Sequence, residues 1–250
     1  MKEPIDTIPV NDAFSSDDEC PFCWLERKAE HSTIRYVAGP SASYMEPDVR
    51  AATDAAGFCT VHMKELYDYG NTLGSALMLQ THMAGLLSEF EAELERFQMP
   101  EKKSLFGKKQ PAQEETWWQR LEKKHNSCFI CDRIEYNMHR YIHTFFVMLK
   151  DPQFREKVES SKGFCMKHFA LLMETAQKEL GNAQREWFYQ TIPALTQKNL
   201  IRVKEDLDWL IAKYDYRNAG APWKNAKDAL PRAMEKVQGS HPADPPYKSE

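Results

Sequence analysis

The sequence predicts an all-α protein made of two duplicated helical modules, each organised around a metal site. Three observations lead there. Helix formers dominate: only 10 Gly occur in 250 residues, Ala, Leu, Glu, Lys, Gln and Met are plentiful, and no segment alternates as a strand would. All six cysteines fall into one pattern written twice. Cys20-Pro21-Phe22-Cys23 is followed by Gly57-Phe58-Cys59-Thr60-Val61-His62, and Cys128-Phe129-Ile130-Cys131 by Gly163-Phe164-Cys165-Met166-Lys167-His168. The second CxxC stands 108 residues after the first and the second GFCxxH 106 after its counterpart, a difference of two residues in a loop. Between the pairs Glu46-Pro47-Asp48-Val49-Arg50 matches Asp151-Pro152-Gln153-Phe154-Arg155, and Leu73-Gly74 and Gln80-Thr81 match Leu180-Gly181 and Gln190-Thr191 beyond them. Such self-similarity reads as an internal duplication.

The elements follow in order. Residues 1–98 form the first module, in which 1–19 read as a polar lead-in. A helix runs from about Cys20 to Val37 and breaks at Gly39-Pro40. Helix restarts at Pro47, where the missing N–H is tolerated in a first turn, and again after Gly57. The next long helix carries Leu73, Leu77, Met83, Leu87, Phe90, Leu94 and Phe97, a stripe at helical spacing expected to face the core, and ends before Pro100. Residues 99–115, with Lys102, Lys103, Lys108 and Lys109 around Gly107 and with Pro111, read as a solvated linker. The second module spans 116–218, and its last helix places Leu200, Val203, Leu207, Leu210, Ile211 and Tyr214 toward the core. Residues 219–250 are a C-terminal extension: a short helical stretch between Pro222-Trp223 and Leu230, Trp223 over a core edge, then a disordered tail from Gly239 holding His241, Pro242, Pro245 and Pro246.

Each copy offers three thiolates and one imidazole, the ligand set of a closed tetrahedral metal site. The expected grouping follows the copies: Cys20, Cys23, Cys59 and His62 around one ion, Cys128, Cys131, Cys165 and His168 around another. Three-residue spacing puts both members of a pair on one face of a first turn. Two helix N-termini then offset the net charge of about −1 left by three thiolates on a divalent zinc. The cofactor expected is zinc, two ions; an iron–sulfur cluster with one histidine ligand stays open, because a ligand list does not separate the two. Disulfides leave the repeated histidine unexplained, a thioredoxin-like pair lacks its strand, and haem attachment needs histidine where Trp24 and Asp132 stand.

Other histidines are weaker candidates. His31 and His139 lie eleven residues after the first cysteine of their copies, about 16 Å along a helix and too far to share its metal. Hydrogen-bonded positions between helices are expected for them. His139 and His143 have the spacing of a two-histidine metal site, but Arg35 replaces the second in copy one. His82 stands where copy two has Ile192 and is read as a buried, satisfied histidine, with a functional role beside Asn71 as the alternative. No catalytic residues can be named from spacing.

With 33 basic and 37 acidic residues the net charge is −4 and the pI about 6.1, so no general attraction for nucleic acid is expected. No apolar run is long enough for a membrane, and the first residues, Met1-Lys2-Glu3-Pro4, lack a signal-peptide pattern, so the location expected is cytoplasmic. The partner expected is another protein.

The duplicated CPxC and GFCxxH motifs resemble a family of uncharacterised bacterial proteins. The likeness also covers Gly70-Asn71-Thr72-Leu73-Gly74-Ser75-Ala76-Leu77-Met78-Leu79-Gln80-Thr81-His82 and the stretch from Asp215-Tyr216-Arg217-Asn218 through Ala221-Pro222-Trp223 to Leu230-Pro231-Arg232. Copy two departs at Phe129, which stands in the place of Pro21. Members are sometimes labelled as substrate-binding proteins of ABC transporters, a label at odds with the all-helical reading and the absent signal pattern. The resemblance implies the metal ligands and no reaction. The function expected is therefore a zinc-binding helical scaffold or interaction protein. The alternatives are an iron–sulfur redox or accessory protein, or an enzyme with a pocket near His82.

Overall fold

The computed structural model describes residues 6–99 and 115–239, and among these are eleven α-helices, two single 3-10 turns and no strand. The helices are α1 (Thr7–Ser15), α2 (Pro21–Ala38), α3 (Pro47–Ala56), α4 (Thr60–Tyr69), α5 (Thr72–Arg96), α6 (Trp117–His125), α7 (Phe129–Met148), α8 (Pro152–Ser160), α9 (Met166–Glu179), α10 (Asn182–Ala212) and α11 (Ala229–Gln238). The order of helices after each CxxC recurs: a long helix, a short one starting at proline, the helix after GFC, then the longest. The chain divides into two compact units that do not follow the expected modules. Among the described residues one unit takes 6–29 and 135–239, the other 30–99 and 115–134, and the dividing points fall inside α2 and α7.

The first unit is built on phenylalanine. Phe14 stacks on Phe145 at 5.5 Å and meets Phe154 edge-on at 5.3 Å, while Phe22 and Phe164 close the group at 6.2 Å from Phe14. Such edge and offset contacts add to the burial of large apolar area. Phe14 belongs to a segment expected to be a polar lead-in; it is instead helix α1, with Val10, Ala13 and Phe14 buried. Nine residues are too few for a helix to announce itself by propensity, and packing onto the phenylalanine cluster supplies what propensity does not.

The second unit packs Ile34, Val37, Phe58, Leu66, Tyr69, Met78, Phe129 and Ile130 into one core. Helix α6 runs beside the second half of α5, where Trp117 meets Phe90 at 5.4 Å, Arg120 pairs with Glu93 at 2.5 Å and Lys124 with Glu89 at 2.7 Å.

Two expected core stripes are corrected. In α5 only Gly74 and Met78 are buried, whereas Met83, Leu87 and Leu94 are 65%, 58% and 52% exposed. The first half of α5 turns Gly74, Met78 and Thr81 inward, Thr81 bonding Asp54 of α3. In its second half Phe90 alone of the stripe stacks against Trp117 of α6, while Met83, Leu87 and Leu94 stay largely exposed. A helical period identifies an apolar face, not what covers it. In α10 the buried residues are Phe188, Ile192, Leu195, Thr196, Asn199 and Val203; of the expected stripe only Val203 is among them, and Ile211 and Tyr214 are exposed.

The C-terminal helix also shifts. Turns occupy 224–225 and 227–228, and α11 begins near where the helical stretch was expected to end, with Pro231 in its first turn. Trp223, expected over a core edge, is instead exposed, with the Lys213 ammonium 5.1 Å from its ring centre. The lysine-rich part of the linker, with Lys102, Lys103, Lys108 and Lys109, and the tail with His241, Pro242, Pro245 and Pro246 lie outside the described residues.

Candidate metal centres

Each ligand pair is formed locally, as the spacing requires. Cys20 and Cys128 stand just before α2 and α7, with Cys23 and Cys131 in the first turns. Cys59 and Cys165 are the N-caps of α4 and α9, with His62 and His168 in theirs. Gly57 and Gly163, at φ of 62° and 75°, turn the chain into the cysteine; this left-handed region is open to glycine at little cost. A Cβ on Gly57 would also stand 2.9 Å from the His82 ring.

The pairs then combine across the copies, and this corrects the expected grouping. Cys20 and Cys23 meet Cys165 and His168, while Cys128 and Cys131 meet Cys59 and His62; within each cluster the ligand atoms all lie within 4.8 Å of one another. Spacing positions a pair at a helix start, but both copies carry the same ligand types, so nothing local distinguishes closure within a copy from exchange between copies.

In the first cluster His168 Nδ1 lies 3.5, 3.4 and 3.2 Å from the sulfurs of Cys20, Cys23 and Cys165, and Cys23 and Cys165 are 3.5 Å apart. In the second, His62 Nδ1 lies 3.2 Å from Cys59, 3.2 Å from Cys128 and 3.3 Å from Cys131, with Cys59 and Cys131 3.9 Å apart. Four ligands on one tetrahedral ion with bonds near 2.3 Å to sulfur and 2.0 Å to nitrogen are separated by about 3.5 to 3.8 Å. The two Cys/His clusters have the size and donor set to hold one metal ion each.

Their electrostatics carry the same demand. Burial pushes the Cys20 thiol up to about 12. Cys23 is also raised, chiefly because it donates to Cys165, and Cys165 is lowered as the acceptor of its two neighbours. Burial opposes ionisation of Cys128, but the His62 ring and backbone N–H groups outweigh it and bring the thiol to about 6. Cys131 is raised by burial and by the Cys128 charge. In the first cluster one thiol is thus eased toward ionisation while Cys20 and Cys23 are held back, and a bound divalent cation would let all three ionise together.

Carboxylates that spacing does not single out stand behind both histidines. With Nδ1 toward the sulfurs, His62 Nε2 lies 3.1 Å from Glu30 and 3.8 Å from Glu65, and His168 Nε2 3.7 Å from Glu26. A carboxylate on the far nitrogen fixes the ring's tautomer and orientation. Burial counts against a charged His62, but Cys128 and Glu30 prevail and raise it to about 10. Burial and the Glu30 charge raise Glu65 to about 6. Glu26 and Glu30 follow Cys23 on its helix, whereas Ile134 and Met138 hold the matching places after Cys131, so the repeat itself did not mark them.

The CxxC and CxxH segments are joined differently in the two clusters. In the second, Phe129 N–H donates to the Gly57 carbonyl at 3.0 Å, and Ser127 Oγ lies 2.7 Å from the Ala56 carbonyl. Pro21 holds the matching place in the first and has no N–H to give. There Lys236 of α11, 1% exposed, donates to the carbonyls of Glu19 and Lys162 at 2.5 and 2.6 Å and pairs with the Glu19 carboxylate at 3.2 Å.

The remaining candidates stay outside these clusters. Asn71 caps α5, accepting from Gly74 N–H at 3.0 Å and donating to the Ala38 carbonyl at 2.7 Å. His82 is partly buried and Nδ1 lies 2.8 Å from the Asp54 carbonyl. It edges a cavity of about 580 Å³ whose other walls include Phe58, Met63, Leu79, Leu86 and Leu121. His31 is partly buried. His139 is exposed beside Glu135 at 3.6 Å, not held between helices, and His143 pairs instead with Glu179 at 3.0 Å. Neither belongs to a metal-holding group among the described residues.

No helix among the described residues is long and apolar enough to cross a membrane. No curated protein and no solved structure matches the chain. The model of a family of unknown function, DUF6062, matches residues 1–244, and the chain, with its crossed pairs of CxxC and CxxH, belongs to that family.

Proposed function

We propose that the protein is a zinc-binding helical scaffold or interaction protein, taking one zinc ion in each crossed cluster. The observation that carries this reading is the spacing of the ligand atoms, all within 4.8 Å in each cluster. That span suits a single tetrahedral ion better than an iron–sulfur cluster, whose ligands are shared among several irons and spread wider. A closed set of four protein ligands leaves no position for water or substrate, so the ions hold helix starts together and do not act as Lewis acids. The carboxylates behind His62 and His168 are the usual support of a bound ion. Thiolate sites of this kind need reduced cysteines, which supports a cytoplasmic setting. The exposed apolar residues of α5 support a protein partner, and the acidic balance of the chain speaks against nucleic acid.

Cobalt substitution tests the reading. Two cobalt ions per chain with tetrahedral thiolate absorption, unchanged by added azide, are expected. A spectrum that shifts with azide reveals an exchangeable position and favours an enzyme, and visible iron–sulfur absorption in anaerobically purified protein favours the redox alternative.

A further inference from the structure

The two clusters share a donor set but not an environment. In the first, Cys20, Cys23, Cys165 and His168 are all buried. Helix α11 closes over them. Lys236 ties together the segments that lead into Cys20 and Cys165, and Gly239, at the end of α11, comes so close that a Cβ there would stand 3.4 Å from Cys165 Sγ and 3.7 Å from Cys23 Sγ. In the second cluster His62 and Cys128 are buried, but Cys59 is only partly so and Cys131 is exposed. The open edge is the Cys59 to Cys131 side, 3.9 Å between sulfurs.

We propose that the chain keeps one metal permanently, at Cys20, Cys23, Cys165 and His168, and exchanges the other, at Cys59, His62, Cys128 and Cys131, with small thiols and thiolate-bearing metal carriers. This rests on the metal-binding reading above and assigns its two sites different work. Exchange of a thiolate-bound ion proceeds by ligand substitution and needs an approach path to a ligand sulfur. An incoming thiol forms a sulfur–metal bond as the Cys131 bond breaks, and Cys131 takes up the proton that the incoming thiol loses. The ion stays divalent and four-coordinate, and no electron is transferred. Cys59, at the same open edge, follows by the same step. At the first cluster every sulfur is covered, and attack there must wait until α11 has lifted.

The test uses the full chain loaded with two zinc ions, with glutathione as the attacking thiol and a chromogenic pyridylazo dye reporting released zinc. One ion should leave at least tenfold faster than the other. Cys131→Ser should remove the fast ion and leave the slow one in place, and Lys236→Met should speed the slow ion alone. Release of both ions at one rate, or a fast phase that survives in Cys131→Ser, overturns the proposal. A measurement on the unaltered protein guards against misfolded variants: iodoacetamide trapping with mass-spectrometric mapping should find Cys131 and then Cys59 modified well before Cys20, Cys23 and Cys165, and equal rates overturn it. A chain that binds no zinc at all defeats the metal reading itself; a chain that holds two ions and releases them together defeats only the division of work.

Discussion

Gly57 answers two constraints at once, a φ of 62° that turns the chain into Cys59 and a space already filled by the His82 ring. Gly57→Ala should cost about 1 to 3 kcal/mol, since both the conformation and the clash oppose a Cβ. Gly85 provides the contrast. It lies within α5 with nothing near its missing Cβ, so Gly85→Ala should stabilise by about 0.5 to 1 kcal/mol. Chemical unfolding of the two variants checks both signs. A second residue-scale expectation concerns Glu30, 3.1 Å from His62 Nε2. Glu30→Gln should weaken zinc at the second site about 10- to 100-fold while the first site, whose histidine faces Glu26, keeps its affinity. Competition with a chelator of known affinity measures it, and equal weakening of both sites would remove the role given to Glu30.

At the scale of elements, α11 is held by charges that are almost wholly buried. Lys236, Glu235 and Glu19 are 1%, 2% and 3% exposed, and Arg232, Arg202 and Arg27 pair with the two glutamates or their neighbours. Lys236→Met leaves the Glu19 carboxylate with the arginines alone and two carbonyls without a donor, so a loss of about 3 kcal/mol is expected, read as an earlier unfolding midpoint in urea. Glu235 adds a pH dependence. Burial, followed by the nearby Asp18 carboxylate, raises it from 4.5 to about 8, against the pull of Arg27. The folded chain therefore holds this proton more tightly than the unfolded chain does. Its contribution is complete below about pH 4.5, declines as the pH rises, and is gone above about pH 8. Glu235→Gln removes that decline, so the variant should gain on the unaltered protein between pH 5 and pH 9 in urea titrations; a constant difference would show that Glu235 does not titrate in this window. Helix α5 supplies the opposite case. Its Leu94 is exposed, and Leu94→Glu should change stability by less than about 0.5 kcal/mol, whereas a core leucine would cost several times that.

For the molecule as a whole, the crossed pairs predict which parts would depend on which metal under the proposed reading. Cys165→Ser breaks a cluster completed by Cys20 and Cys23, so protection should fall in α1, the start of α2 and α9, all within the first unit. The amides of α3, α4 and α5, built around the other cluster, should keep theirs. Binding energy at such sites is folding energy, so the loss should be local to the unit that loses its ion. Native-state hydrogen exchange distinguishes this from dependence by copy, which instead ties Cys165 to Cys128 and Cys131 and spares Cys20 and Cys23.

Helix class, helix starts and the eight side chains that gather in the two clusters were legible in the sequence, because each is written in local terms. Composition excludes strands, Pro47 and Pro152 mark first turns, and three-residue spacing puts Cys20 with Cys23 or Cys165 with His168 on one face of a helix start. What was not legible depends on residues far apart in the chain. Phe14 is helical because Phe145 and Phe154 lie against it, and most of the α5 stripe is exposed because α3 packs on the Thr81 side and α6 reaches the stripe only at Phe90. Lys236 matters because it reaches Glu19 and Lys162. The pairing itself is the sharpest case. Two copies with identical ligand types satisfy the chemistry equally well closed or crossed, so the ligand pattern is silent on the choice, and only the structure shows the crossed pairing. From the sequence alone came the candidate ligands and their donor chemistry; from tertiary structure alone came which four side chains gather together and which of the two clusters is open to solvent.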